Sequence, residues 1–497
     1  MNNVSPPSHF RSGKSSFSWL WALSTVLLCA VFTVALAPGV DAQNQDTRRY
    51  ASTMQNVFDF IQRHYVEEVD PQTVFEGAMS GMLNSLGDPH SNFLSEKEMT
   101  DLSDITQGSF GGVGLYISKP IEERTDGQPS YAEVSSPIED TPGWRAGINP
   151  GDLIIEINGE NTGALSLDEV VARLRGAPGE AVNIKIRRGA KLEFPVTLVR
   201  EVINVPTVKH EMILGDIGYL KLISFTPMTV DQSREVLDSF RAKNYRALIL
   251  DLRNNGGGLL QAAIGICDLF LDSGVVVSTK SRIPSENAVF NAHRSTSVPS
   301  DIPVIVLINR GSASASEIVA GALKDRGRAY LVGERSYGKG SVQQVFPLDK
   351  AGFKLTTARY YTPSDVNIDK IGIPPDREVK FPEFTAEDAE KFSVLMTANK
   401  IPEFIEANPR AGSADIDIYA RELGRQYGIG NISLLRRLIR DEQNRTVIAP
   451  VYDLEYDIQL QEGVNIIRGG NYRTLMQSAK TLKTLQEEAA GDLPQAS

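Results

Sequence analysis

Apolar positions along this 497-residue chain change their spacing from one stretch to the next, and each spacing predicts a different kind of element. From Thr47 to Leu86 the pattern is helical: Val57, Phe60, Ile61, His64 and Tyr65 recur at three- and four-residue steps, and Phe75, Met79, Met82 and Leu83 do the same after Asp70-Pro71. Gly87-Asp88-Pro89-His90 reads as a turn. A glycine-rich stretch, 108–117, then opens a block of short strand-like runs (Tyr131–Val134, Leu153–Ile157, Val182–Arg187, Phe194–Val199) around one helical stretch, Ser166 to Leu174. This block predicts a small, mostly β module. From Val205 to Val379 apolar runs (Ile217–Leu222, Ala247–Asp251, Val304–Ile308, Ala329–Val332) alternate with helical segments (Thr229–Lys243, Leu259–Leu271, Ser314–Lys324). That alternation predicts an α/β domain with buried, largely parallel strands. Beyond about residue 384 the sequence is helical, polar and mixed in charge, and its last stretch, Tyr472 to Ala490, is amphipathic.

Length and composition add limits. A chain this long predicts two to four domains. A formal net charge of -11 argues against a nucleic-acid partner. Cys29 lies in an apolar N-terminal stretch and Cys267 in a predicted core helix, so no disulfide framework or cysteine metal site is expected. His9, His64, His90, His210 and His293 form no metal motif, and no cofactor is expected. Arg11 and Lys14 precede an uncharged run, Trp19 to Ala37, followed by small residues at 40 and 42. This fits an export signal cleaved after Ala42, or an N-terminal membrane anchor. Either places the body outside the cytoplasm, in a bacterial periplasm or cell envelope.

Three segments could carry chemistry. In 304–324 a buried strand runs through Gly311-Ser-Ala-Ser-Ala-Ser316 into a helix, which presents a hydroxyl beside free N–H groups at the helix start. Serines also cap helices and permit tight packing, so this segment alone does not decide. In 329–343 a strand enters a loop where Lys339 stands between Gly338 and Gly340. Serine needs a base, and a desolvated lysine can serve. No histidine lies between 294 and 497, although an exposed turn lysine would look the same. Gly333 to Gly340 also meets the start of a phosphate-binding loop, but glycine stands where that motif needs Ser or Thr, which argues against an ATPase. In 247–258 three glycines follow a buried strand, a conformation suited to a second oxyanion donor or to a plain flexible loop.

Taken in order, Gly-Gly-Val-Gly, Asp251 to Gly258, Gly-Ser-Ala-Ser-Ala-Ser-Glu and Tyr-Gly-Lys-Gly-Ser-Val-Gln resemble the C-terminal processing peptidases, or tail-specific proteases, over residues 50–380. The resemblance implies a multidomain α/β protein: a catalytic core of crotonase/ClpP-like ββα units, an inserted PDZ domain, and helical N- and C-terminal segments. Its implied divisions are 1–42 (signal or anchor), 43–97 (helical), 98–200 (PDZ), 201–383 (Ser/Lys protease core) and 384–497 (helical). It implies a serine endopeptidase with Ser314 as nucleophile, since the family's lysine lies 25 residues on (339 − 314 = 25), and Lys339 as base. Gln343 would orient the lysine, and Gly258 and Ala315 would offer oxyanion-hole amides. Asp325 and Glu317 match acidic positions of structural character. Pro142 to Gly159 fits the PDZ pattern, with Asn158-Gly159 as a hairpin turn. Gly112, Val113 and Gly114 would receive a substrate's C-terminal carboxylate. Arg175 resembles a position coupling PDZ occupancy to the core. The implied partners are proteins with accessible C-termini, with an adaptor, membrane anchoring and homo-oligomerisation left open. Ser364 to Lys370 departs from the family's usual loop, which puts contacts there in doubt. A catalytically silent PDZ adaptor is the competing reading.

Overall fold

The structure, a computed structural model, describes residues 43–119, 130–189, 192–293, 296–381, 386–445 and 450–491. The Trp19–Ala37 run and the expected cleavage site lie outside them. Among the described residues no helix is long and apolar enough to cross a membrane. The chain divides into two units, residues 1–85 and 86–497. In the first, helices Gln43–His64 and Pro71–Asn84 are separated at Asp70, whose carboxylate caps the second helix through Gln72 N and Thr73 N. Their facing apolar side chains line a cavity of about 470 Å³.

In the second unit a six-stranded sheet runs in the order Val208–Ile213, Ile217–Leu222, Ala247–Asp251, Val304–Ile308, Tyr330–Gly333, Arg377–Glu378, parallel except for its first pair. The inner strands are unbroken apolar runs because both faces are covered. Leu248, Leu250, Val304, Val306 and Leu331 face a core shared with helices Thr229–Ala242, Leu260–Asp268 and Ala315–Asp325. Ala247, Ile249, Ile305, Leu307 and Val332 face helix Ile458–Arg468. Packing therefore runs across residue 383: Leu460, Val464 and Ile466 are at most 6 % exposed. Burying these three side chains contributes ~5 kcal/mol or more.

A second, antiparallel sheet has no counterpart in the sequence reading. Strand Ala351–Tyr361 pairs with Asn92–Leu94, Val275–Ser281 and Ser341–Leu348, and Ala288–Asn291 lies at its edge. Because Asn92–Leu94 already belongs to the core, the module that follows is an insertion. That module is a six-stranded sheet closed by helix Leu167–Leu174, which starts in a Ser166/Glu169 capping box. Asn158 and Gly159 both have positive φ (50° and 83°), as a two-residue hairpin turn requires. The module joins the core by a ribbon in which Ser109–Gly112 pairs with Glu201–Asn204.

Helices Ala386–Thr397, Lys400–Ala407, Ser413–Tyr427 and Ile432–Arg445 form a separate apolar cluster. The expected amphipathic stretch from Tyr472 is two helices, Tyr472–Ser478 and Leu482–Gly491, with Leu482 inserted in the main core.

Candidate active site

Strand Val304–Ile308 enters a tight turn that ends at Ser314, the residue before helix Ala315–Asp325. Ser314 has φ 55° and ψ −113°, a strained backbone for a residue with a side chain, held by its surroundings. Its neighbours' hydroxyls are engaged: Ser312 Oγ donates to Leu252 O at 2.8 Å, and Ser316 Oγ to Asn255 O at 2.8 Å. Both of these serines are fully buried, whereas Ser314 is half-buried and its Oγ makes no hydrogen bond among the described residues. Geometry thus distinguishes one serine of the three on grounds independent of spacing.

The Gly256–Gly258 loop lies against this turn. A Cβ on Gly257 would come within 2.8 Å of Ser314 Cβ and 2.9 Å of Ala315 N, and one on Gly258 within 2.2 Å of Phe225 O. Gly258, at φ 145°, is a position only glycine fills comfortably. Asn255 O accepts from Ala313 N at 3.0 Å, tying the loop to the turn. Gly258 N–H and Ala315 N–H donate to no group among the described residues; Ala315 follows Ser314 in the chain, and Gly258 follows the glycine that packs on it.

Lys339 follows Gly338 on a loop packed against residues 369–372. A Cβ on Gly340 would meet Asp369 N at 2.6 Å, and Lys370 N donates to Gly338 O at 2.7 Å. The segment that departs from the family pattern therefore backs the lysine loop. Burial, aided by the charge of Lys354, holds the Lys339 amine below the usual lysine range, against the pull of Asp88 and Glu317.

One carboxylate clasps both halves. Glu317, fully buried, accepts at Oε2 from Ser314 N and Lys339 N, each at 2.9 Å, and at Oε1 from Gly338 N at 2.7 Å and from Ser336 Oγ. Burial pushes its carboxyl up while these donors oppose the rise. Tyr360 OH lies against the other side of the same two residues, at Lys339 O and, at 3.3 Å, Ser314 O. The amides of Gly338 and Lys339, which a phosphate-binding loop would offer its ligand, are thus already bound to a carboxylate. Sequence matching had marked Glu317 only as an acidic position; its place three residues after Ser314 was the available signal. Tyr360 carried none.

The structure does not join every expected pair. No hydrogen bond connects Ser314 Oγ with Lys339 Nζ. Gln343, expected on the lysine, instead donates to Ser341 Oγ at 2.9 Å and Thr356 Oγ1 at 3.2 Å. A register shift between Val342 and Gln343 accompanies this orientation. Asp325 is structural in its contacts, holding Ser364 N and Leu482 N.

In the inserted module Gly112, Val113 and Gly114 line a groove of about 230 Å³ together with Leu115, Ile117, Ile138, Val171 and Leu174. A Cβ on Gly114 would fall 2.3 Å from Thr141 Cβ. Arg175, at the end of the groove, stacks over the Phe110 ring at 4.8 Å, and Phe110 belongs to the ribbon that leads to the core.

Three family models match: Peptidase family S41 over residues 216–379, PDZ domain over 133–188, and the activating protease CtpB N-terminal domain over 33–98. The chain is 39% identical to a carboxy-terminal-processing protease of Bartonella bacilliformis, across 70% of this chain and 80% of that one. It is 32% identical to the carboxy-terminal processing protease CtpA of Bacillus subtilis, across 72% and 77%. A solved photosystem II D1 C-terminal processing protease is 29% identical and covers 68% of this chain and 94% of its own, with a TM-score of 0.39.

Proposed function

This chain belongs to the carboxy-terminal processing proteases of peptidase family S41, a serine-type endopeptidase with a PDZ domain, and from that premise we propose that its chemistry is acyl transfer by a Ser314–Lys339 dyad. The neutral Lys339 amine takes the proton of Ser314 Oγ as that oxygen bonds to the scissile carbonyl carbon. Gly258 N–H and Ala315 N–H receive the oxyanion. The C–N bond then breaks, the Lys339 ammonium protonates the leaving amine, and water activated by the same lysine releases the acyl group. The observation that carries this reading is the unengaged Ser314 hydroxyl next to the glycine loop and the unused Ala315 N–H, on a backbone that Glu317 ties to the loop of Lys339, whose amine is of lowered basicity. The missing Ser–Lys hydrogen bond fits a dyad that tightens when substrate fills the site.

Family membership favours a protease over a catalytically silent adaptor. The substrates, on this proposal, are exported proteins whose C-terminal carboxylate docks at Gly112–Gly114 while the tail adds to strand Leu115–Ser118. Arg175 and the ribbon are the parts placed to report that occupancy to the core. Export rests on Arg11, Lys14 and the run Trp19–Ala37; recovery of the tagged chain in the cytoplasmic fraction would refute it. Ser314→Ala and Lys339→Ala are each expected to lower peptide turnover on the order of 10³-fold or more while leaving tail binding intact. Retained turnover in either variant ends the dyad assignment.

A further inference from the structure

Below the Asn254–Gly258 loop lies a buried ionic network whose far end belongs to the C-terminal segment. Asp251 is fully buried and Arg253 is 7 % exposed. Arg253 donates from N and Nε to Asp251 Oδ1, each at 2.9 Å, and from Nη2 to Asp251 Oδ2 at 2.6 Å. The rest of the guanidinium is gripped from 204 residues away: Nη1 donates to Asp457 Oδ1 at 2.8 Å, and Nη2 to Asp457 Oδ2 at 2.7 Å. Nη1 also reaches Gln459 Oε1 at 3.1 Å, and Gln459 is itself fully buried and donates to Val379 O at 2.8 Å. A planar cation held in two forks has little freedom left.

Arg253 is where the oxyanion loop begins. Asn254 exchanges hydrogen bonds with Asn309 (2.9 Å each way), and Asn255 O receives Ala313 N and Ser316 Oγ. The remaining loop residues are glycines, which have no side chain with which to fix themselves. On one side they are held by Phe225, whose N donates to Gly257 O at 3.1 Å and whose O receives Leu259 N at 2.8 Å; on the other, Gly257 N donates to Asn255 Oδ1 at 2.9 Å, so their position there follows what holds Arg253, Asn254 and Asn255.

We propose that Asp457 and Gln459 are positioning residues of the active site: by fixing Arg253 they set the place of the Asn254–Gly258 loop and so aim Gly258 N–H at the developing oxyanion. Helix Ile458–Arg468, preceded by Asp457, is thereby part of the catalytic apparatus as well as a cover for the sheet. This rests on the assignment of Ser314 and Gly258 made above.

Asp457 also caps its helix, accepting from Leu460 N at 3.0 Å. Asp457→Asn keeps shape and, with its oxygen at the Oδ1 position, keeps the cap on Leu460 N and the contact with Arg253 Nη1; the charge and the acceptor for Arg253 Nη2 are lost. In the full-length chain, kcat and KM for a peptide are measured beside the rate constant for modification by a fluorophosphonate, with the folded fraction from near-UV circular dichroism. The expected result is a fall in kcat of about 10- to 100-fold with KM unchanged, somewhat less than the loss of a whole oxyanion donor. The modification rate constant falls in parallel, and Asp457→Glu recovers part of both. Gln459→Met, which removes one acceptor from Arg253 and the donor to Val379 O, shows the same signature at smaller size per folded molecule. If lost activity only tracks lost folded fraction, with wild-type kcat and modification rate per folded molecule, Asp457 is merely structural and the proposal is overturned. Ser314→Ala run alongside separates the two levels: if that variant keeps turnover, the nucleophile assignment falls and takes this inference with it.

Discussion

Glu317→Gln asks whether a single buried carboxylate holds nucleophile and base together. The carboxylate receives Ser314 N and Lys339 N at one oxygen, and Gly338 N and Ser336 Oγ at the other. Glutamine has the same volume but one acceptor oxygen, so its NH2 must face a pair of donors. Ser336 Oγ can rotate, and it already accepts from Ile373 N at 2.6 Å, so it can receive the NH2; a backbone N–H cannot. The amide therefore turns its oxygen to Ser314 and Lys339 and leaves Gly338 N–H buried without a partner. An orphaned buried donor costs ~1–3 kcal/mol, and exchanging charged for neutral acceptors at the remaining bonds costs ~1–2 kcal/mol more. A total of about 2–5 kcal/mol, at roughly 2–4 °C per kcal/mol for a domain of this size, lowers Tm by about 4–20 °C. Because the residue left unsatisfied adjoins Lys339, kcat falls as well, measured well below the new Tm. Thermal unfolding followed by circular dichroism, together with peptide hydrolysis, reads both quantities. A variant with wild-type Tm and kcat would show that the clasp does not hold the site and would refute the reasoning.

Two further outcomes follow from the same geometry. Burial depresses the Lys339 amine, so the native state binds that proton less tightly than the unfolded chain; stability from this group is present above the ordinary lysine range and is lost as pH falls through the depressed value. Lys339→Met should therefore raise Tm at neutral pH while abolishing turnover, with the gain shrinking as melts are repeated at more alkaline pH. Gly114→Ala places a methyl against Thr141 at a φ of 74°, which strains the carboxylate loop. It should raise the Kd of a C-terminal tail peptide in calorimetry and remove any stimulation of short-peptide cleavage by that tail; equal cleavage with and without the tail in the wild type would count against coupling through Arg175.

The core was legible in the sequence where burial was simplest. Ala247–Asp251 and Val304–Ile308 lie between two covered faces, so their apolar runs announce strands without needing a partner to interpret them. Ser166 and Asn158-Gly159 were legible because caps and two-residue turns are local. The antiparallel sheet was not, since Ser341–Leu348 and Ala351–Tyr361 are half-exposed and the pairing of Ala351–Tyr361 with Asn92–Leu94 is set by contacts far off in sequence. In the active site, residue types and spacing marked Ser314, Lys339 and the glycine loop. They did not reveal which side chains were already satisfied: Ser312 and Ser316 spend their hydroxyls on carbonyls, and Gln343 spends its amide on Ser341 and Thr356. Nor did they connect Arg253 with Asp457, because a pair 204 residues apart leaves no periodic trace.

The ribbon that carries the inserted module has a consequence for how such a chain is assembled and varied. Ser109 stands opposite Asn204 in the antiparallel pair, so the chain leaves the core and returns to it at neighbouring points, about 5 Å apart between Cα atoms. To the core, everything from 113 to 200 is one long excursion with both ends tied together. Once the module has folded and its ribbon has zipped, Asn92–Leu94 and Ala351–Tyr361 are effectively closer along the chain, and the entropy of closing that loop is correspondingly reduced. The same arrangement makes recognition exchangeable: a different module with adjoining ends could be spliced in at the ribbon without altering the register of a single catalytic strand.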